Sequence, residues 1–179
     1  MLPSMGEKGA RASRPRKPAR RLRSPVEGTW FAVPLDTGGY GVGVVARTAR
    51  KGPFLGYFFG PRRDAVPTIE AVASLRAKDA LVLRLVGDLL LITGVWPQIG
   101  VDPDWSRERW PMPTFVRKNL LIDNLFFAVE YSEDDPGREV SERRLKSQPP
   151  PGAVEDGFVG AGLAATFLSD AIAETETSR

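Results

Sequence analysis

Residues Glu27 to Pro61, EGTWFAVPLDTGGYGVGVVARTARKGPFLGYFFGP, leave this chain few folds to choose from, because they read as three consecutive strands joined by two turns. Thr29 to Leu35 and Tyr40 to Thr48 are rich in aromatic and β-branched residues. The Asp36-Thr37-Gly38-Gly39 link between them tolerates positive φ, so the pair reads as a hairpin. A second link, Arg50-Lys51-Gly52-Pro53, turns the chain into Phe54 to Phe59, with Phe54 and Phe58 on one face and Tyr57 and Phe59 on the other. A strand apolar on both sides is predicted to be sandwiched in a core. Gly41 and Gly43, inside the second strand, are expected to clear space for a large aromatic across the sheet, with Trp30 and Tyr57 as the candidates.

Downstream, Pro67 to Leu75 reads as a short helix with Ile69, Val72 and Leu75 on one side and Thr68 at its N-cap. Ala80 to Val86 and Leu89 to Val95 are two apolar runs around Gly87-Asp88 and predict a further hairpin of covered strands. Trp96 to Pro113 holds three Trp and four Pro without periodicity and predicts a long structured loop, at least two of whose three tryptophans (Trp96, Trp105 and Trp110) are core. A ligand cage or binding anchor is the alternative use of these tryptophans. Strands are expected at Phe115-Val116 and at Asn124 to Tyr131, followed by an acidic turn at Glu133 to Gly137. Val159, Leu163, Phe167 and Ile172 then mark a closing amphipathic helix, too short and too polar at Asp170 to span a membrane. The expected fold is α+β: a mostly antiparallel β-sheet, strongly twisted or barrel-like, with one inserted helix and a C-terminal helix. Three regions follow: a disordered basic arm over 1–24, a β-rich core domain over 25–147, and a Pro-rich linker with a C-terminal helix packing on the core over 148–179.

Chemistry is bounded by what is missing. The 179 residues contain neither cysteine nor histidine, which removes disulfides, thiolate nucleophiles, zinc sites and the side chain most used for proton transfer near neutral pH. Carboxylate, lysine, tyrosine or hard-cation chemistry survives. The net charge of +3 conceals two regions of opposite sign. Eight basic residues from Lys8 to Arg23 face Glu7 alone, so the arm carries +7 and the remainder must carry −4. No apolar run of roughly 7–15 residues follows this basic stretch, as a secretory signal would need. The arm reads as a solvated tail, with a phosphate-binding arm as its functional alternative.

Gly38-Gly39-Tyr40-Gly41-Val42-Gly43 lacks the spacing of either phosphate-binding fingerprint and enters a Val-rich strand, so no nucleotide or other cofactor is expected. Asp102-Pro103-Asp104 offers two carboxylates to a hard cation but no third ligand nearby, and Glu133-Asp134-Asp135 lacks EF-hand spacing; turn-capping acids are the plainer reading, and no metal site is assigned. Asp102, Asp104, Glu133, Asp134 and Asp135 are the candidate contact residues for a basic partner, on charge alone.

Gly28-Thr29-Trp30-Phe31-Ala32-Val33-Pro34-Leu35, the run Gly39 to Arg47, and Leu55-Gly56-Tyr57-Phe58-Phe59-Gly60 together resemble the immunity protein 26 family of bacterial polymorphic toxin systems. Its members open with a similar G-x-x-F-x-[VI]-P-L strand and a Gly/Tyr-rich second strand. The resemblance runs from Gly28 to about Tyr131 and leaves the basic arm and the C-terminal helix outside. It implies a cytoplasmic, non-enzymatic protein that binds and blocks a cognate toxin, possibly a nuclease, and it transfers no catalytic residues. An acidic body suits that role, since nucleases carry basic substrate channels. The alternative is a nucleic-acid-binding β-barrel module that anchors phosphates with the basic arm and stacks bases on Tyr57 and Phe59.

Overall fold

The computed structural model describes residues 24–49 and 52–178. The basic arm, apart from Ser24, and the Arg50-Lys51 pair of the second link lie outside the described residues. The three strands form as the sequence predicts: β1 (Thr29–Pro34), β2 (Tyr40–Thr48) and β3 (Pro53–Arg63) pair antiparallel in succession. With β4 (Val82–Gly87), β5 (Gln98–Val101) and the short β10 (Phe158–Val159) they make a six-stranded sheet in the order β10-β4-β3-β2-β1-β5. A second sheet has the order β8-β7-β6-β9, built from β6 (Phe115–Lys118), β7 (Phe126–Ser132), β8 (Asp135–Arg144) and β9 (Val154–Glu155). Pairing is antiparallel except where β10 joins β4 and β9 joins β6. The architecture is α+β.

The two-sided apolar character of β3 now has its explanation. Phe54 and Phe58 enter one core with Phe31, Val45 and Trp96, under helix α3 (Ala161–Thr177). Leu55, Tyr57 and Phe59 enter a second core with Trp30, Trp110, Phe115 and Val129, against the other sheet. Alternation along a strand puts neighbours on opposite faces, so one strand supplies both layers. The glycines of β2 serve the first core. A Cβ on Gly43 would lie 2.4 Å from the Phe31 ring, and one on Gly41 would lie 2.5 Å from Leu168 of α3. The large aromatic is therefore Phe31, not Trp30 or Tyr57.

Helix α1 (Ile69–Val72) is one turn of the expected helix, and Ile69, Val72 and Leu75 pack on the second core. Leu89 to Val95 is not a strand. Leu89–Ile92 forms a single helical turn, α2, closed by Gly94 at φ 75°, which buries Leu91 and leaves Leu89 and Val95 exposed. Straight-chain leucines favour helix, and a left-handed glycine stops it; an apolar run this short does not distinguish the two states. The edge of β4 that this run was expected to fill is taken by β10. The Trp-rich segment contributes β5 to the far edge, and β8 begins at Asp135, inside the expected acidic turn, which shortens to Glu133-Asp134; neither strand shows in the sequence. In α3 the buried stripe is Ala161, Ala164, Ala165, Leu168 and Ile172, whereas Leu163 faces outward and Phe167 lies under Arg84. Alanines bring the helix close to the sheet, which is why the larger residues do not define its inner face.

Candidate partner interface

Trp110 organises the loop that leads to the surface. It is fully buried, edge-on to Trp30, Tyr57 and Phe59 at 5.7, 5.3 and 5.9 Å, and stacked on Trp105 at 6.0 Å. Trp96 stacks on Phe31 at 5.4 Å in the other core, so two of the three tryptophans are core as expected, and Trp105 is a partly buried cover. The Tyr57 hydroxyl donates to the Pro111 carbonyl. Burial raises the Tyr57 pKa to about 12, with Arg47 opposing and Glu133 adding to the shift. The Tyr131 hydroxyl donates to Asp156, and its pKa is likewise raised to about 12, first by burial and then by that carboxylate. A raised tyrosine pKa means that the fold favours the protonated phenol. Stability from these groups is therefore complete below the unfolded value near 10 and is lost as pH climbs toward 12. The urea midpoint is expected to be level up to pH 9 and to fall between pH 10 and 12. A midpoint that holds across that window would contradict the burial of both phenols.

Arg47 reaches this loop because β2 bulges between Val45 and Arg47, shifting the alternation of β2 so that Arg47 points toward the second sheet. Its Nη1 donates to the carbonyls of Ala46 and Trp110 at 2.7 and 3.0 Å, and its Nε and Nη2 both reach Glu133 at 2.6 Å. The 3-10 turn Arg107–Arg109 supplies two more guanidinium groups. Arg107 joins Glu27 at 2.9 Å to Asp134 at 2.7 Å, and Arg109 meets the Asp102 carboxylate at 3.3 Å and the Asp104 carbonyl at 2.8 Å.

Asp102 and Asp104 thus meet Glu133 and Asp134 around one short turn, although some thirty residues separate them in sequence. Asp102 is held inward, capping the Asp104 amide at 2.9 Å, and its carboxylate is occupied by Arg109. Asp104 and Asp134 are exposed, and Arg107 holds the Asp134 carboxyl below its ordinary range. Asp135 opens β8 and accepts from the Gly137 amide at 2.9 Å. Glu27, Glu108, Arg47, Arg107 and Arg109 belong to the same edge and were not singled out in the sequence. The Ser106-Arg107-Glu108-Arg109 run is the sequence signal for three of them, and Glu27 and Arg47 have none. Carboxylates outnumber guanidinium groups here, so the edge presents net negative charge on a braced frame. Tyr57 and Phe59, the bases' supposed stacking platform, are buried and cannot serve as one.

The model of the immunity protein 26 family matches residues 26–124, more than half of the chain. The chain belongs to that family. The match takes in β1 to β6, with Asp102 and Asp104, and stops before β7, so Glu133, Asp134, Asp135 and α3 lie beyond it. Nothing matches among curated proteins or solved structures. Immunity proteins as a class neutralise toxins and are generally not catalysts. Among the described residues no helix is long and apolar enough to cross a membrane.

Proposed function

We propose that this immunity protein 26 member is a non-enzymatic, stoichiometric inhibitor of a basic toxin, a nuclease by class, that acts in the cytoplasm of the producing cell and docks the toxin on the acidic edge around Arg107–Arg109. Family membership carries the neutralising role. Arg107 holds the Asp134 carboxylate and Arg109 holds the Asp104 backbone carbonyl, which supports the choice of surface, because acids on a fixed frame lose little freedom when a basic channel meets them. The β-rich domain of 25–147 takes β9, β10 and helix α3 from the C-terminal region onto its sheets, and the basic arm takes no part in neutralisation.

Charge reversal of the two exposed acids tests this surface. Against the purified cognate toxin domain, Asp104→Lys with Asp134→Lys is expected to slow association about tenfold at low salt, with the loss shrinking as salt rises. Deletion of residues 1–24 is expected to change neither binding nor protection. Unchanged association by the doubly reversed variant would remove the acidic edge from the interface, and loss of protection on deleting the arm would move the case to a phosphate-binding role.

A further inference from the structure

The link between β6 and β7, Asn119-Leu120-Leu121-Ile122-Asp123-Asn124-Leu125, pushes three consecutive apolar side chains into solvent, with Leu120 93% and Leu121 94% exposed and Ile122 57% exposed. Single exposed apolar residues such as Leu89 or Val95 are ordinary on a protein surface; three in a row at a hairpin tip are not. The tip is also held in shape. The Asn119 amide donates to the Leu125 carbonyl at 2.8 Å, and Asn119 Oδ1 accepts from the amides of Leu121 and Ile122 at 2.9 and 2.8 Å. Asn124 takes a left-handed φ of 58° and accepts from Gln148 at 2.9 Å.

The charge around the tip is the reverse of that at the acidic edge. Lys118 pairs with Phe126, Arg144 with Phe127 and Arg143 with Ala128, which brings these cations to the tip end of the second sheet, with Lys146 following. All four are exposed, and none takes part in an ion pair of the described residues; Asp123 is the one carboxylate in the link. The tip lies at one end of β7 and the Glu133-Asp134 turn at the other, seven residues or roughly 20 Å away. A patch of roughly 800 Å² is about 30 Å across, so one partner of ordinary interface size covers both ends. The tip also falls within the stretch matched by the family model, which the acidic turn does not.

We infer that Leu120, Leu121 and Ile122 form the apolar anchor of the toxin interface, entering a hydrophobic pocket on the toxin whose rim carries carboxylates that face Lys118, Arg143, Arg144 and Lys146. This rests on the toxin-neutralising role proposed above. The two ends of β7 then hold the partner by opposite means: charge on the acidic edge sets approach, and apolar burial at the tip sets residence time.

The test titrates the full chain and its Leu120→Ser/Leu121→Ser variant against the same purified toxin domain, with thermal melting of both proteins. Because both leucines contact solvent, the variant is expected to melt with the wild type and to bind about a hundredfold more weakly, mostly through faster dissociation. Lys118→Glu with Arg144→Glu is expected to slow association about tenfold at low salt. Equal affinity of wild type and the serine variant overturns the anchor and leaves the neutralising role standing; a wild type that does not bind the toxin removes both. Sedimentation velocity and flotation with phosphatidylcholine/phosphatidylglycerol vesicles complete the test. Self-association or vesicle binding that the serine variant loses while keeping toxin affinity overturns the anchor in favour of a second copy or a membrane surface.

Discussion

Trp110→Ala is expected to lower the unfolding free energy by about 4 kcal/mol, within the range for emptying a large aromatic site in a core. Trp110 is 0% exposed and touches aromatic rings from β1, β3 and its own loop, so truncation opens a cavity that no single neighbour can fill. The backbone there adds to the cost. The Trp110 carbonyl accepts from Arg47 and the Pro111 carbonyl from Tyr57, and both bonds require the loop to stay seated. The partly buried cover Trp105 provides the contrast, because Trp105→Ala is expected to cost about half as much. Urea unfolding decides the matter, with a lowered midpoint and an unchanged slope as the expected result. A loss below about 1 kcal/mol would mean that the loop is not seated by this ring.

Glu133→Gln is expected to cost about 2 kcal/mol, less than the roughly 3–5 kcal/mol for breaking a fully buried ion pair, because the Arg47 guanidinium is buried while Glu133 is open to water. After the substitution Arg47 keeps the Ala46 and Trp110 carbonyls but loses the only carboxylate it reaches among the described residues. Removing both partners should be milder. Arg47→Met with Glu133→Gln is expected to recover at least half of the loss, since no unpaired charge then remains in the interior. Thermal melting of the two single variants and the double variant forms the cycle, and strict additivity would contradict the pairing. The consequence reaches the interface: reversing Glu133 damages the fold before it reports on any partner, so Asp104 and Asp134 are the informative positions.

The central sheet was legible because its signals are local. Alternation, turn glycines and β-branched residues mark β1, β2 and β3 within Glu27 to Pro61, and the doubly apolar β3 announces two cores. What was not legible is decided by distant partners. Nothing in Gln98 to Val101 says that it completes an edge beside β1, and Arg138 to Arg144 is a polar stretch that becomes a strand by lying beside β7. Leu89 to Ile92 turns into helix and seats Leu91 in the first core, a fact of packing and not of pattern. The same holds for the acidic edge. Charge picked out Asp102, Asp104, Glu133, Asp134 and Asp135, but only the fold brings Arg107 and Arg109 between them and draws Glu133 to Arg47 through a bulge in β2. The apolar tip was written plainly as Leu-Leu-Ile, yet its exposure depends on where β6 stops.

Titrating this chain into a fixed amount of its cognate toxin domain and following toxin activity, together with growth of cells expressing both, tests neutralisation itself. Activity is expected to fall in proportion to added protein and to end at one equivalent, and co-expressing cells are expected to grow. Full toxin activity at a several-fold excess of this chain, with no protection in cells, would contradict the neutralising role.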